Sequence, residues 1–261
     1  MDLKLNGKVA LVLGAGGGLG SAIAEALARE GAKVAACDVN AEALKKINER
    51  LDAIGAGHVC IALDLNKPED FQSHVRHIES ALGPVSVLVN NSGGPPPSTA
   101  SGVDAAVWRK QFDAMVLSLI TLTDLVLPQM RAQGWGRIIT STSSGVVAPI
   151  PNLAISNALR LSLVGWSKTL AREVAVDGIT VNVVLPGRIA TARIEQLDHA
   201  KAQREGRSVE DVALESTQSI PVQRYGRPEE YGNVVAFLAS DCASYINGSV
   251  VRVDGGLIAS I

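Results

Sequence analysis

Short β-branched, apolar runs alternate along the 261-residue chain with longer stretches whose apolar positions recur every three or four residues. Seven runs read as strands: Val9–Leu13, Lys33–Cys37, Val59–Leu63, Val85–Val89, Arg137–Thr140, Thr180–Leu185 and Ser249–Val253. Between them, sets such as Ile23, Leu27 and Ala28, or Leu44, Ile47 and Leu51, mark the apolar face of a helix. Parallel strands need crossover connections, so this alternation predicts an α/β, doubly wound single domain over residues 1–261, with a seven-stranded parallel sheet. The pattern breaks once. Between Thr191 and Ile220 there is polar helical sequence and no strand. A helical lid, roughly residues 191–220, over a site at the strands' C-terminal ends is the expectation; a surface helical hairpin without a gating role is the alternative.

Composition narrows the class. Hydrophobic residues make up 47% of the chain and aromatics only 3%, so the core is built from Ala, Val, Leu and Ile, as suits strands covered on both faces. A net charge of −2 gives no global attraction to nucleic acid or to an anionic membrane. The longest apolar run, Ala114–Leu127, is short for a membrane span and contains Asp124. Cys37, Cys60 and Cys242 are odd in number and far apart, which suggests buried thiols in a reducing, cytoplasmic setting. No His, Cys or carboxylate group has metal-ligand spacing, and no metal is expected.

The first strand runs into Gly14-Ala15-Gly16-Gly17-Gly18-Leu19-Gly20 and then an Ala-rich helix. Glycines between a buried strand and a helix turn the chain tightly and let backbone N–H groups approach a pyrophosphate. Asp38 ends the next strand, where its carboxylate can accept hydrogen bonds from both adenosine ribose hydroxyls and repel a 2′-phosphate. No Arg or Lys lies in the glycine loop or directly after Asp38. NAD is therefore the expected cofactor, and NADP is disfavoured.

The GxxxGxG spacing resembles the short-chain dehydrogenase/reductase family, and the likeness extends over nearly the whole chain. It implies a Rossmann-type fold. Asp64-Leu65 stands where that family holds adenine, and Asn90-Asn91-Ser92-Gly93 resembles its NNAG segment beside the cofactor. Pro186-Gly187 with Ile189 and Thr191 is similar to its PGxxxT segment at the nicotinamide amide. Arg224–Glu230 and Val253–Gly256 resemble its C-terminal signatures. The resemblance further implies a tetramer built from the long helices containing Met115 and Arg160, either of identical chains or with a catalytically intact relative. The apolar stretch Leu153–Leu170 fits such a contact.

The chemistry departs from the family pattern. In that family a tyrosine transfers the proton, a lysine four residues later lowers its pKa, a serine polarises the substrate oxygen and an asparagine supports the lysine. Aligned on Gly136–Ser143, the serine position is Ser143, but Ser156 stands for the tyrosine, Arg160 for the lysine and Met115 for the asparagine. No tyrosine precedes Tyr225, so no shift of register restores one. Arginine stays protonated and cannot relay protons, though its fork can hold ribose hydroxyls or a carboxylate. Arg188 is a candidate for an anionic substrate and His199 for a proton delivered by the lid. Three readings follow: an NAD-dependent oxidoreductase with a substituted acid, acting on a carbonyl or alcohol such as a 3-oxoacyl compound; an NAD-binding pseudoenzyme serving as sensor or inert subunit; and a non-redox enzyme on the same scaffold. Halohydrin dehalogenases offer a precedent for arginine at position 160, but they keep the tyrosine and have lost the glycine loop. Retention of that loop favours the first two.

Overall fold

Every predicted strand is present to within one residue at each end. In the computed structural model, which describes residues 2–261, these are β1 (Val9–Leu13), β2 (Lys33–Asp38), β3 (His58–Ala62), β4 (Val85–Asn90), β5 (Gly136–Ser141), β6 (Ile179–Pro186) and β7 (Val250–Val253). They form one parallel sheet in the order β3-β2-β1-β4-β5-β6-β7. The order reverses between β1 and β4. Crossovers leave these two strands on opposite faces, and a crevice opens at their C-terminal ends.

The helices form two layers. On one face lie α1 (Gly18–Arg29), α2 (Ala41–Ile54) and α9 (Pro228–Leu238), which bury Ile23, Leu51 and Val235 against the sheet. On the other lie α3 (Phe71–Leu82), α5 (Ser118–Gln133) and α6 (Ala154–Val174), which bury Phe71, Leu119 and Leu163. All but the edge strands are almost wholly buried, so they read as continuous apolar runs. Helix starts follow local chemistry: the Asn40 side chain accepts from Ala43 N–H at the start of α2. At α9, Glu230 accepts from Arg227 N–H at 2.7 Å and takes Arg224 in a two-pronged ion pair. Those bonds hold its carboxyl down at about 2, chiefly through Arg224.

α4 (Ala105–Phe112) runs into α5 through a single π-turn, Asp113–Leu117, making one helical rod over Ala105–Gln133. That rod is long and apolar enough to cross a membrane by composition alone. Its second half instead buries Leu119, Leu122, Val126 and Met130 in the core. After β6 come α7 (Ala192–Glu205) and α8 (Val209–Gln218), two helices filling the segment assigned to the lid. The cysteines differ from expectation: Cys37 is buried on β2, but Cys60 is half-buried and Cys242 is exposed. Cys242, between Asp241 and Ala243, lies on a short turn between α9 and β7.

Candidate active site

A cavity of about 1270 Å³ occupies the C-terminal ends of the strands, between the glycine loop and α7. Every residue assigned to the cofactor lines it, from Gly14 at one end to Thr191 at the other, as do Ser143, Ser156 and Arg160. Sequence-distant groups meet here because the connections after six strands, β1 to β6, converge on the switch point.

The glycine loop is shaped by contacts that leave no room for side chains. Gly14 takes the left-handed conformation (φ 60°) beneath Asn91, whose Nδ2 donates to the Leu13 carbonyl at 3.1 Å. A Cβ on Gly20 would lie 1.9 Å from the Gly14 carbonyl oxygen. Helix α1 has no side-chain cap, so its first-turn N–H groups face the cavity without an internal acceptor. That combination fits the pyrophosphate of a dinucleotide, which supplies the missing acceptors and matches the helix dipole.

Asp38 sits at the end of β2 with one carboxylate oxygen accepting from Gly16 N–H and the other from Asn40 N–H, both at 2.9 Å. The carboxylate is thereby fixed at the cavity edge, and its neighbours there are Gly17 and Val39. Asp64 accepts from the backbone and side chain of Asn66, and these bonds hold its carboxyl below the usual range. Leu65 and Gly93 complete this wall, while Pro186, Gly187 and Ile189 line the facing one. Ile189 is fixed by a bridge to Gly226.

At the chemical end, Ser143 follows β5, and its oxygen accepts from Gly145 N–H at 3.1 Å, leaving the hydroxyl proton available. Ser156, in the first turn of α6, is 7% exposed and lines the cavity. One turn on, Arg160 is equally buried and points inward. Its guanidinium donates to the carbonyls of Ser141, Ser92 and Gly93 at 3.0–3.2 Å, clamping the ends of β4 and β5. The fork considered for ribose hydroxyls is thus largely engaged with backbone. Burial pulls this guanidinium down to about 10, and Arg193 nearby acts in the same direction. Met115 lies in the π-turn, 2% exposed and packed in the core, so it offers no polar link to Arg160.

The lid side ties the anion-binding candidate Arg188 to two residues with no assigned role. Arg188 Nη1 donates to buried Asp198 at 3.1 Å, and the other Asp198 oxygen accepts from Tyr225 at 2.6 Å. Burial first, and then Asp198, push the Tyr225 hydroxyl up. His199 is exposed and does not line the cavity, because α7 turns its neighbours Asp198 and Ala200 inward instead. Arg193 does line it, donating to the Pro95 carbonyl at 3.1 Å. No family motif covers Arg193; only its place in the first turn after Thr191 would have flagged it. Among the described residues no group of His, Cys, Asp and Glu is placed to hold a metal ion.

Comparisons with known proteins agree with this architecture. Residues 14–258 match the family model described as enoyl-(acyl carrier protein) reductase. Nodulation protein G of Azospirillum brasilense is 38% identical over 251 residues, covering 96% of this chain and 98% of that protein. The 3-oxoacyl-[acyl-carrier-protein] reductase of Escherichia coli is 37% identical over 257 residues, covering 98% and 99%. Among solved structures, L-sorbose reductase from Gluconobacter frateurii, complexed with NADPH and L-sorbose, superposes with a TM-score of 0.94. It is 32% identical, with all of both chains covered.

Proposed function

The chain belongs to the short-chain dehydrogenase/reductase family, oxidoreductases of carbonyl and alcohol substrates, and from that premise we propose an NAD(H)-dependent member with a substituted proton donor. The observation that carries the cofactor assignment is Asp38, held at the cavity edge with Gly17 and Val39 beside it and no cation to neutralise a 2′-phosphate. Although the Gluconobacter relative is complexed with NADPH, the charge at this corner favours NAD(H).

When bound, the dinucleotide supplies or accepts a hydride at its nicotinamide ring. The α1 amides of Gly18, Leu19 and Gly20 would hold its pyrophosphate, Asp38 its ribose, and Asp64 and Leu65 its adenine. Asn91, Gly93, Pro186, Gly187, Ile189 and Thr191 would frame its nicotinamide end. Ser143, with its oxygen already engaged by Gly145 N–H, would donate a hydrogen bond to the substrate oxygen and polarise it. Ser156 lies one helical turn from Arg160 but has a far less acidic hydroxyl than a phenol. Losing a matched general acid forfeits on the order of 10²–10⁴ in rate. Proximity and polarisation remain to support slow turnover of a carbonyl or alcohol substrate, 3-oxoacyl compounds included.

A second reading, an NAD-binding pseudoenzyme acting as sensor or non-catalytic subunit, is favoured by one observation. Neither Tyr225 nor Arg160 stands free to replace the tyrosine: Tyr225 is raised and turned toward Asp198, and Arg160 is spent on carbonyls. Both readings require nucleotide binding. Calorimetry with NADH and NADPH on the wild type and on Asp38→Ala tests that requirement. The wild type is expected to bind NADH at least tenfold tighter than NADPH, and the variant to close most of that gap. Equal affinities in the wild type would overturn the NAD assignment. Binding of neither would remove both readings and leave non-redox chemistry.

A further inference from the structure

Two guanidiniums converge on one loop at the chemical end of the cavity, with no acid between them. Arg160 grips the carbonyl of Gly93, and Arg193 that of Pro95 two residues later. They arrive from different directions, Arg160 from α6 and Arg193 from the first turn of α7. Neither forms an ion pair among the described residues. Arg193 is the cation that acts on Arg160, Tyr231 beside it is a buried phenol kept protonated, and no carboxylate is among its electrostatic neighbours. On the lid, Glu195 shares the first turn of α7 with Arg193 but does not line the cavity, and Asp198, which does, is committed to Arg188 and Tyr225. The acids elsewhere on the lining are also placed out of reach. Asp38 and Asp64 lie at the adenine end, and Glu205, on the last turn of α7, pairs with Arg204 and Arg207.

Such an arrangement is unfavourable unless something offsets it. Arg160 is buried without an acid, which carries a desolvation cost, and Arg193, exposed at the cavity's edge, adds a like charge that acts on it. Arg193 adds a local conflict, because the first turn of a helix favours negative charge. Ser92, at the base of the same loop, is buried and lines the cavity with its hydroxyl unpartnered. Hydrogen-bond capacity and uncompensated positive charge are therefore left at one place. An Arg fork matches a carboxylate or phosphate in two parallel hydrogen bonds, and that match is geometric as well as electrostatic.

We infer that the substrate is anionic, a carbonyl or alcohol compound whose carboxylate or phosphate is held by Arg193 beside the Gly93–Pro95 loop. This rests on the oxidoreductase reading for the carbonyl, but the anion site stands on the charge arrangement alone. Arg160 contributes its field from below, and Arg188, steadied by Asp198, lines the same cavity from the end of β6. Arg193 is a binding residue here and transfers no proton.

The test is calorimetry on the full chain in saturating NADH, with two matched pairs of probes. Acetoacetate is compared with methyl acetoacetate, and dihydroxyacetone phosphate with dihydroxyacetone, so each pair differs only in its anion. At least one anion is expected to bind tenfold or more tighter than its neutral partner, and the pair that discriminates identifies carboxylate or phosphate. Arg193→Gln should abolish that advantage, and Arg193→Lys should retain a substantial part of it, with NADH affinity in both variants within about twofold of wild type. If neither anion outbinds its neutral partner, undetectable binding of all four included, the inference fails. It fails equally if Arg193→Gln keeps the full discrimination. Turnover is not read, so absence of NADH oxidation would bear on the oxidoreductase reading and leave the anion site standing or falling separately.

Discussion

At the residue scale the departure from the family lies in three side chains, and the structure gives each a different standing. Ser156 occupies a cavity position, Met115 packs in the core and meets the cavity only with an apolar chain, and Arg160 has become a clamp. Restoring the family pair therefore has opposing effects. Ser156→Tyr with Arg160→Lys should raise NADH-dependent reduction of ketones by at least tenfold, read in a steady-state assay across 3-oxoacyl and ketone substrates. Lysine cannot reproduce the three-carbonyl clamp, so the same variant should lose about 1–3 kcal/mol in urea unfolding. A variant as stable as wild type would mean that the Arg160 bonds are replaced without loss. One inert toward the whole panel would mean that the pocket has diverged beyond these two positions.

At the element scale, strands and cofactor loop were legible because their signals are local. A buried parallel strand shows as an unbroken apolar run, and the Gly14–Gly20 turn shows because side chains there would collide with backbone. The Arg160 clamp was not legible: its partners lie 19 and about 68 residues away, and nothing in the run around position 160 reveals which way the guanidinium turns. The same holds for Arg193, which its exposed, polar helix disguises. The start of α9 yields a pH prediction. Glu230 has a folded-state pKa of about 2 against an ordinary 4.5. The sign follows from that depression: its stabilising contribution is complete above about pH 4.5 and is lost as pH falls through about 2. The difference in thermal midpoint between wild type and Glu230→Gln should therefore be largest at pH 6 and shrink steadily toward pH 2. A difference that does not change with pH would show that the Arg224 pair contributes nothing through its charge.

On the scale of the whole molecule, one broad apolar surface is left without a partner. Val107 and Phe112 on α4, Leu117 in the π-turn and Leu161 on α6 are each more than two-fifths exposed, and α4 packs against α6, so they share a side of the protein. Val222, Tyr245, Val250 and Ile261, in the C-terminal part of the chain, are exposed as well. Such exposed apolar residues suit a homotetramer, or a hetero-oligomer with an intact relative, and we propose the homotetramer. Phe112→Asp with Leu161→Asp should halve the mass measured by sedimentation at micromolar concentration and leave the far-ultraviolet spectrum intact. An unchanged mass would move the contact elsewhere.

The π-turn at Asp113–Leu117 gives that surface a history in residue counts. A π-turn is a helix with one residue too many. At 3.6 residues per turn, the surplus swings everything after it by about 100°. The rod Ala105–Gln133 therefore serves two orientations: its upstream half shows Val107 and Phe112 to the outside, and its downstream half hands Leu119, Leu122 and Val126 to the sheet. Deleting the surplus residue would merge both halves into one stripe, and the rod would then have to give up either its core packing or its outward face.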